Sequence, residues 1–259
     1  MTSGIRRRRD FRGAVVPVSL ILLAELAARL THLDSDSLAA PSEIVRAAFA
    51  SLLDGSLLHA TADTLICALT GLAIGFGLGL MLGTLMGMFR ALDRLLQVTI
   101  ESIRPIPSVA LIPIALLVFG FGYRMELAIV SFATIWPTLI LSRSAVANVE
   151  PRLFEVARAL RLGLVDRVIK IVVPAALPRI FVALRLSLGV ALIVSVTVEI
   201  SANTIGLGHG MMEAEQSLHP DIMLAFLFWI GVLGWAINAL MLTAQRRLFG
   251  RAGAAEETG

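Results

Sequence analysis

The chain has 259 residues, enough for one or two soluble domains, but 57% of them are hydrophobic and the mean hydropathy is +0.86, which excludes an ordinary soluble globule. Its charged residues, 16% of the total, cluster between long apolar runs, the pattern of a polytopic membrane protein whose wet loops alternate with buried spans. The net charge of +3 and pI near 9.9 come from basic residues beside apolar runs, so headgroups and topology explain them more simply than nucleic acid does; Cys67, the one cysteine, excludes an internal disulfide or a cysteine metal cluster.

A bilayer core of about 30 Å needs roughly 20 helical residues. Six segments qualify as spans: 13–31, 62–88, 106–120, 125–146, 177–200 and 222–244. The first carries a basic stretch (residues 6–9) ahead of an apolar run, the outline of a signal peptide. Its length and the lack of a small-x-small cleavage site favour a retained helix. The third is short and starts at Pro105 and Pro107, with Pro113 inside, so a broken or tilted span is expected there.

Arg and Lys concentrate in residues 6–12, in Arg90, Arg94 and Arg104, in the stretch 143–179, and in Arg246, Arg247 and Arg251. Residues 32–61 and 201–221 are instead rich in acids. The positive-inside bias places both termini in the cytoplasm. The expected organisation is a basic N-terminus (1–12), a transmembrane domain (13–246) with a cytoplasmic loop at 147–176, and a C-terminal tail (247–259).

The second span carries Gly71, Gly75, Gly79, Gly83 and Gly87, a ladder of four-residue spacing on one helical face. Lipid provides no hydrophobic drive between helices, so such a groove lets a second helix approach closely, either within one subunit or across an interface.

The loop at 147–176 is too long and too patterned for a simple connection. Pro151 suits a first helical turn, and Leu153, Val156, Ala157 and Leu160 recur at helical spacing with Arg152, Glu155, Arg158 and Arg161 elsewhere. After Gly163 a second stripe follows: Val165, Val168, Ile169 and Val172. Pro174 and Pro178 then mark entry to the fifth span. Two short amphipathic helices of this kind either lie on the membrane surface or seat in a groove of a soluble partner; the pattern alone leaves both open.

Charges inside spans are costly and often functional. Glu199 and Asn203, with Ser195, Thr197 and Ser201, are candidates for a translocation path, or else internal structural residues. Arg185 is expected to pair with a carboxylate or headgroup, and Glu25 and Asn238 to make packing contacts. His32, His59, His209 and His219 are scattered without metal-ligand spacing, and no Gly-x-Ser-x-Gly nucleophile motif occurs, so neither a metal site nor a catalytic site is expected.

The run 155–178, EVARALRLGLVDRVIKIVVPAALP, resembles the EAA motif of ABC importer permeases. Glu155 and Ala157 match its first and third letters, and Pro174, Leu177 and Pro178 its proline-bounded end. In that family the motif forms the coupling helix that docks on the ATP-binding subunit, which implies the same role here for Glu155, Val156, Ala157, Arg158, Leu160, Arg161, Gly163, Pro174, Leu177 and Pro178. Arg161 stands at the motif's glycine position, with Gly163 two residues later, so a displaced or reshaped turn is expected. The segments 103–113, 119–122, 149–157 and 198–208 further resemble permeases for nitrate, taurine and aliphatic sulfonates.

The resemblance implies an all-α polytopic protein with the type I ABC importer permease fold in a bacterial inner membrane, working as a homodimer. Its implied partners are two cytoplasmic ATPase subunits and a periplasmic or extracellular substrate-binding protein, and its substrate a small anion. From the residues themselves, Lys170 is the only lysine and no Gly-x-x-x-x-Gly-Lys-Ser/Thr loop can be written, so any ATPase activity belongs to a separate subunit; no cofactor is expected. The rivals are an ion-driven transporter or channel, which needs mid-membrane polar relays, and a membrane-embedded enzyme, which needs a paired catalytic constellation.

Overall fold

The computed structural model describes residues 12–31, 39–150, 152–153, 155 and 159–250. Among them every regular element is helical: α1 (Arg12–Thr31), α2 (Pro41–Leu53), α3 (Ser56–Met88), α4 (Arg90–Ile103), a 3₁₀ turn (Ser108–Leu111), α5 (Ile112–Phe119) and α6 (Tyr123–Ala147). They are followed by α7 (Leu164–Arg167), a π-helical turn (Val168–Val172), α8 (Val173–Ala202), α9 (Gly206–Gln216) and α10 (Pro220–Phe249).

Among the described residues four stretches are long and apolar enough to cross a bilayer: Ser56–Met88, Tyr123–Ala147, Val168–Gln216 and Pro220–Phe249. The pair Arg90–Ile103 and Ser108–Phe119 passes the same test only jointly, bent by 77°. The expected span at 106–120 is thus a broken one. Pro105 and Pro107 carry no amide hydrogen and disfavour helix in the residue before each, which ends α4 at Ile103.

The helices overrun the apolar runs that announce them, since backbone hydrogen bonding continues past the hydrocarbon edge. Two acidic loops are also partly helical. Pro41 opens α2, where Glu43 reaches back so that the Ala40 amide donates to its Oε2 at 2.9 Å. α1 is tied to α2 through Glu25, whose carboxylate accepts from the Ser42 amide at 3.0 Å and the Ser42 hydroxyl at 2.9 Å. Asn238, expected as a packing contact, is instead exposed on α10.

α3, α6 and α8 form the centre of the bundle. Ala68 and Leu72 of α3, Ile129 and Ala133 of α6, and Leu188 and Ala191 of α8 share one core with Ile112 and Ala115 of α5. The α3 to α6 contact is made through all five glycines of the ladder. A methyl group built at Gly79 would stand 2.6 Å from the Ile135 carbonyl oxygen, and one at Gly83 would stand 2.5 Å from that of Leu139. Gly71 and Gly87 face Val130 and Val146, and Gly75 faces Thr134. In this subunit the groove is therefore filled by the backbone of α6, and the Ser131 hydroxyl adds a bond to the Gly71 carbonyl at 3.1 Å.

Candidate functional site

One site projects from the bundle between α6 and α8. Its base is a small core in which Val172, Ala176 and Ile180 pack against Ala145, Val146 and Val149, with Leu153 leaning on them. Beyond this base the described side chains lose cover: Glu155, Arg161, Gly163 and Pro174 are exposed, and Leu160, Ile169 and Leu177 are exposed large apolar groups. Pro178 is half-buried inside α8. Val156, Ala157 and Arg158 lie outside the described residues. Lys170 pairs with Asp166 at 2.7 Å on the same side.

The left-handed residue of the turn falls at Arg161 rather than at Gly163. Arg161 itself adopts the left-handed conformation, with φ 51°, while Gly163 has no positive φ and nothing within 4 Å of where a β-carbon would stand. A non-glycine residue in that region costs about 1 kcal/mol. The conformational freedom of Gly163 is unused. The second amphipathic stripe is no separate helix: it runs through the π turn into α8, and Pro174, which has no amide to donate, follows that turn.

A second constellation lies at the opposite end of the bundle, where α6 starts and α8 ends. Glu126 (0% exposed) and Glu199 (1%) are buried there with Ser195, Asn203 and Thr64. Asn203 Nδ2 donates to Glu126 Oε2 at 2.6 Å, and the Ser195 hydroxyl donates to Glu126 Oε1. The Gly208 amide donates to Glu199 Oε2 at 2.8 Å, and the Leu207 amide to Thr64 Oγ1 at 2.9 Å. Toward the rim, Tyr123 donates its hydroxyl to Asp63, which also meets His59 Nδ1 at 3.1 Å. Glycine is required at 206, where φ is +91° and a side chain would run into the Glu199 carboxyl.

The five path candidates therefore divide. Ser195, Glu199 and Asn203 are buried against α3, α6 and α9. Thr197 and Ser201 sit on another face of α8, their hydroxyls bonded to the Ile193 and Thr197 carbonyls at 2.6 and 2.7 Å. Thr197 borders a groove of about 410 Å³ between α8 and α10, lined by Gly189, Ile193, Leu233 and Gly234 among others. Arg185, toward the other end of α8, reaches Gln245 Oε1 at 3.5 Å.

Residues 75–252 match the family described as binding-protein-dependent transport system inner membrane component. The chain belongs to that family. This permease is 28% identical over 245 residues to the putative aliphatic sulfonates transport permease protein SsuC of Bacillus subtilis (strain 168), covering 95% of this chain and 89% of the relative. The SsuC of Escherichia coli (strain K12) is 33% identical over 220 residues, covering 85% and 83%. The nitrate import permease protein NrtB of Leptolyngbya laminosa is 29% identical over 186 residues, covering 72% and 64%. Among solved structures, the inward-facing MetNI methionine ABC transporter gives a TM-score of 0.67 at 20% identity, covering 74% of this permease and 95% of that chain. The type I importer permease fold is thereby shown, and ATP hydrolysis belongs to a separate subunit of the importer.

Sequence reasoning missed Glu126, Asp63 and Tyr123. The signal for Glu126 was available, since it is a carboxylate four residues after Gly122 at the head of an apolar run. What the linear pattern lacked was its partner, 77 residues away.

Proposed function

We propose that two copies of this permease enclose a translocation path on a two-fold axis, with one cytoplasmic ATPase subunit docked on the 147–176 loop of each copy. A substrate-binding protein delivers the solute at the opposite end, both chain termini are cytoplasmic, and the membrane is the bacterial inner membrane. The solute is a small anion of the sulfonate, taurine or nitrate class, as the names of the sulfonate and nitrate relatives suggest.

The observation that carries this reading is the contrast within one loop. Its base is packed onto α6 through Val172, Ala176 and Ile180, while Leu160 and Ile169 are 64% and 62% exposed beside Arg152, Glu155 and Arg161. Exposed apolar groups beside charged ones, on a packed base, suit a groove on a soluble partner. ATP binding closes the two ATPase subunits, draws the loops together and shifts the paired permease from inward-open to outward-open.

The test is co-purification of the detergent-solubilised permease with its ATPase, comparing the natural chain with Glu155→Lys. Retention by the first and loss by the second is expected. Substrate uptake that persists without the ATPase would sink the proposal.

A further inference from the structure

α4 is amphipathic along its whole length and buries none of its residues. Arg90, Arg94, Gln97, Glu101 and Arg104 follow one another at spacings of four, three, four and three, which is one face of a helix. Leu92, Leu95, Leu96 and Ile103 occupy the opposite face. Among the described residues Arg90, Arg94 and Arg104 have no side-chain partner, Glu101 accepts from Gln97 at 2.7 Å, and Asp93 at the edge of the stripe is neutralised by Arg143.

The far end of this stripe lies partway along the bundle rather than at its end. From the turn at 120–122 two arms return side by side: α6, about 37 Å long, and α5 with its 3₁₀ turn, about 20 Å. The short arm packs on mid-bundle residues, with Val109 and Ile112 in the core of Leu72, Ala133 and Leu188. The break at 104–107 therefore falls partway across a hydrocarbon layer of about 30 Å. Its residues are all exposed, and among the described residues no backbone amide donates to the carbonyls of Arg104, Pro105 or Ile106. Lipid does not tolerate irregular backbone with open carbonyls, and a charged side chain there is costly; such a segment faces water or protein.

We infer that the polar face of α4 and the break at 104–107 form a water-filled wall of the translocation path, where Arg94 and Arg104 attract small anions. This rests on the paired-permease reading above and deepens it. Three arginines against one glutamate give the stripe a positive field in a region of low dielectric, which raises the local concentration of anions and repels cations.

The test uses the assembled importer in inverted membrane vesicles, with single cysteines at 94, 95, 97, 99, 101 and 104. Each is challenged with a membrane-impermeant methanethiosulfonate carrying a sulfonate, then with one carrying trimethylammonium. Cys67 is fully buried, so the natural chain is the background and peptide masses assign each modification. Positions 94, 97, 101 and 104 are expected to react, and 95 and 99 to stay protected. At 97 and 101 the anionic reagent is expected to react about tenfold faster than the cationic one, a preference lost in Arg104→Gln and kept in Arg104→Lys. Three results would overturn the inference: protection along the whole stripe, which means a dry subunit interface; equal rates for both reagents; and protection that grows with phosphatidylglycerol content, which means lipid headgroups occupy the arginines. With the ATPase still co-purifying, any of these leaves the importer reading standing. Loss of the ATPase from the natural chain undermines that reading instead.

Discussion

Asn203 holds Glu126 from across the bundle: its amide nitrogen donates to Glu126 Oε2 at 2.6 Å while its carbonyl oxygen accepts from the Gly122 amide at 2.9 Å and the Thr204 amide at 3.0 Å. One side chain thereby closes the turn that starts α6 and caps the end of α8. Asn203→Leu strips a buried carboxyl and two backbone amides of their partner, and a loss of about 3 kcal/mol is expected. Thermal unfolding in detergent measures it. A melting point within a degree of the natural chain would show that water replaces the amide.

The glycine ladder makes a paired prediction. Gly79→Ala sets a methyl group against the Ile135 carbonyl, a backbone atom that cannot swing away. Gly77, on the same helix, has nothing within 4 Å of the corresponding position. Gly79→Ala is expected to cost about 2 kcal/mol, and Gly77→Ala to leave stability unchanged or slightly improved. Equal effects of the two substitutions, read as melting points side by side, would show that α3 and α6 separate more easily than their packing implies.

The fold was legible where one physical signal dominated. Long apolar runs marked α3, α6, α8 and α10, because only a helix satisfies its own backbone in lipid. α4 was hidden among charges that marked a cytoplasmic loop, although Leu92, Leu95, Leu96 and Ile103 already stood at helical spacing. The loop at 147–176 was legible as a patterned element from its proline and apolar spacing, but the pattern did not choose between a membrane-surface and a partner-docking role. The left-handed turn at Arg161 was not legible, because intrinsic preference argues for the nearby Gly163. The buried pair Glu126 and Glu199 was half legible: a carboxylate in a span announces itself, but its neighbours come from helices distant in the chain.

Arg161 gives a prediction of opposite sign to most. Arg161→Gly removes the steric penalty of the left-handed conformation and is expected to stabilise the loop by about 1 kcal/mol, less the added flexibility of the unfolded chain. Gly163→Ala, at ordinary φ and in open space, is expected to change nothing. Proteolysis of the loop in the solubilised permease reads both. Faster cleavage of Arg161→Gly would mean that the guanidinium makes a contact worth more than the strain.

The last prediction concerns Asp93 and Arg143. Arg143 donates from its Nη2 to Asp93 Oδ2 at 2.8 Å, and its Nε lies 2.6 Å from Oδ1 without hydrogen-bond alignment. The pair fastens the start of α4 to the end of α6, just before the chain enters the 147–176 loop. At 21% and 33% exposure its net value is modest, and a double-mutant cycle of Asp93→Ala and Arg143→Ala is expected to show a coupling of about 1 kcal/mol. Its mechanical consequence is larger than its energy. If α4 lines the path and the loop receives the ATPase, the bridge is a direct polar link between α4 and the helix that leads into the loop. Either single substitution should then lower ATPase stimulation by substrate-loaded binding protein without releasing the ATPase. Additive effects on stability together with unchanged stimulation would reduce the bridge to a surface ion pair.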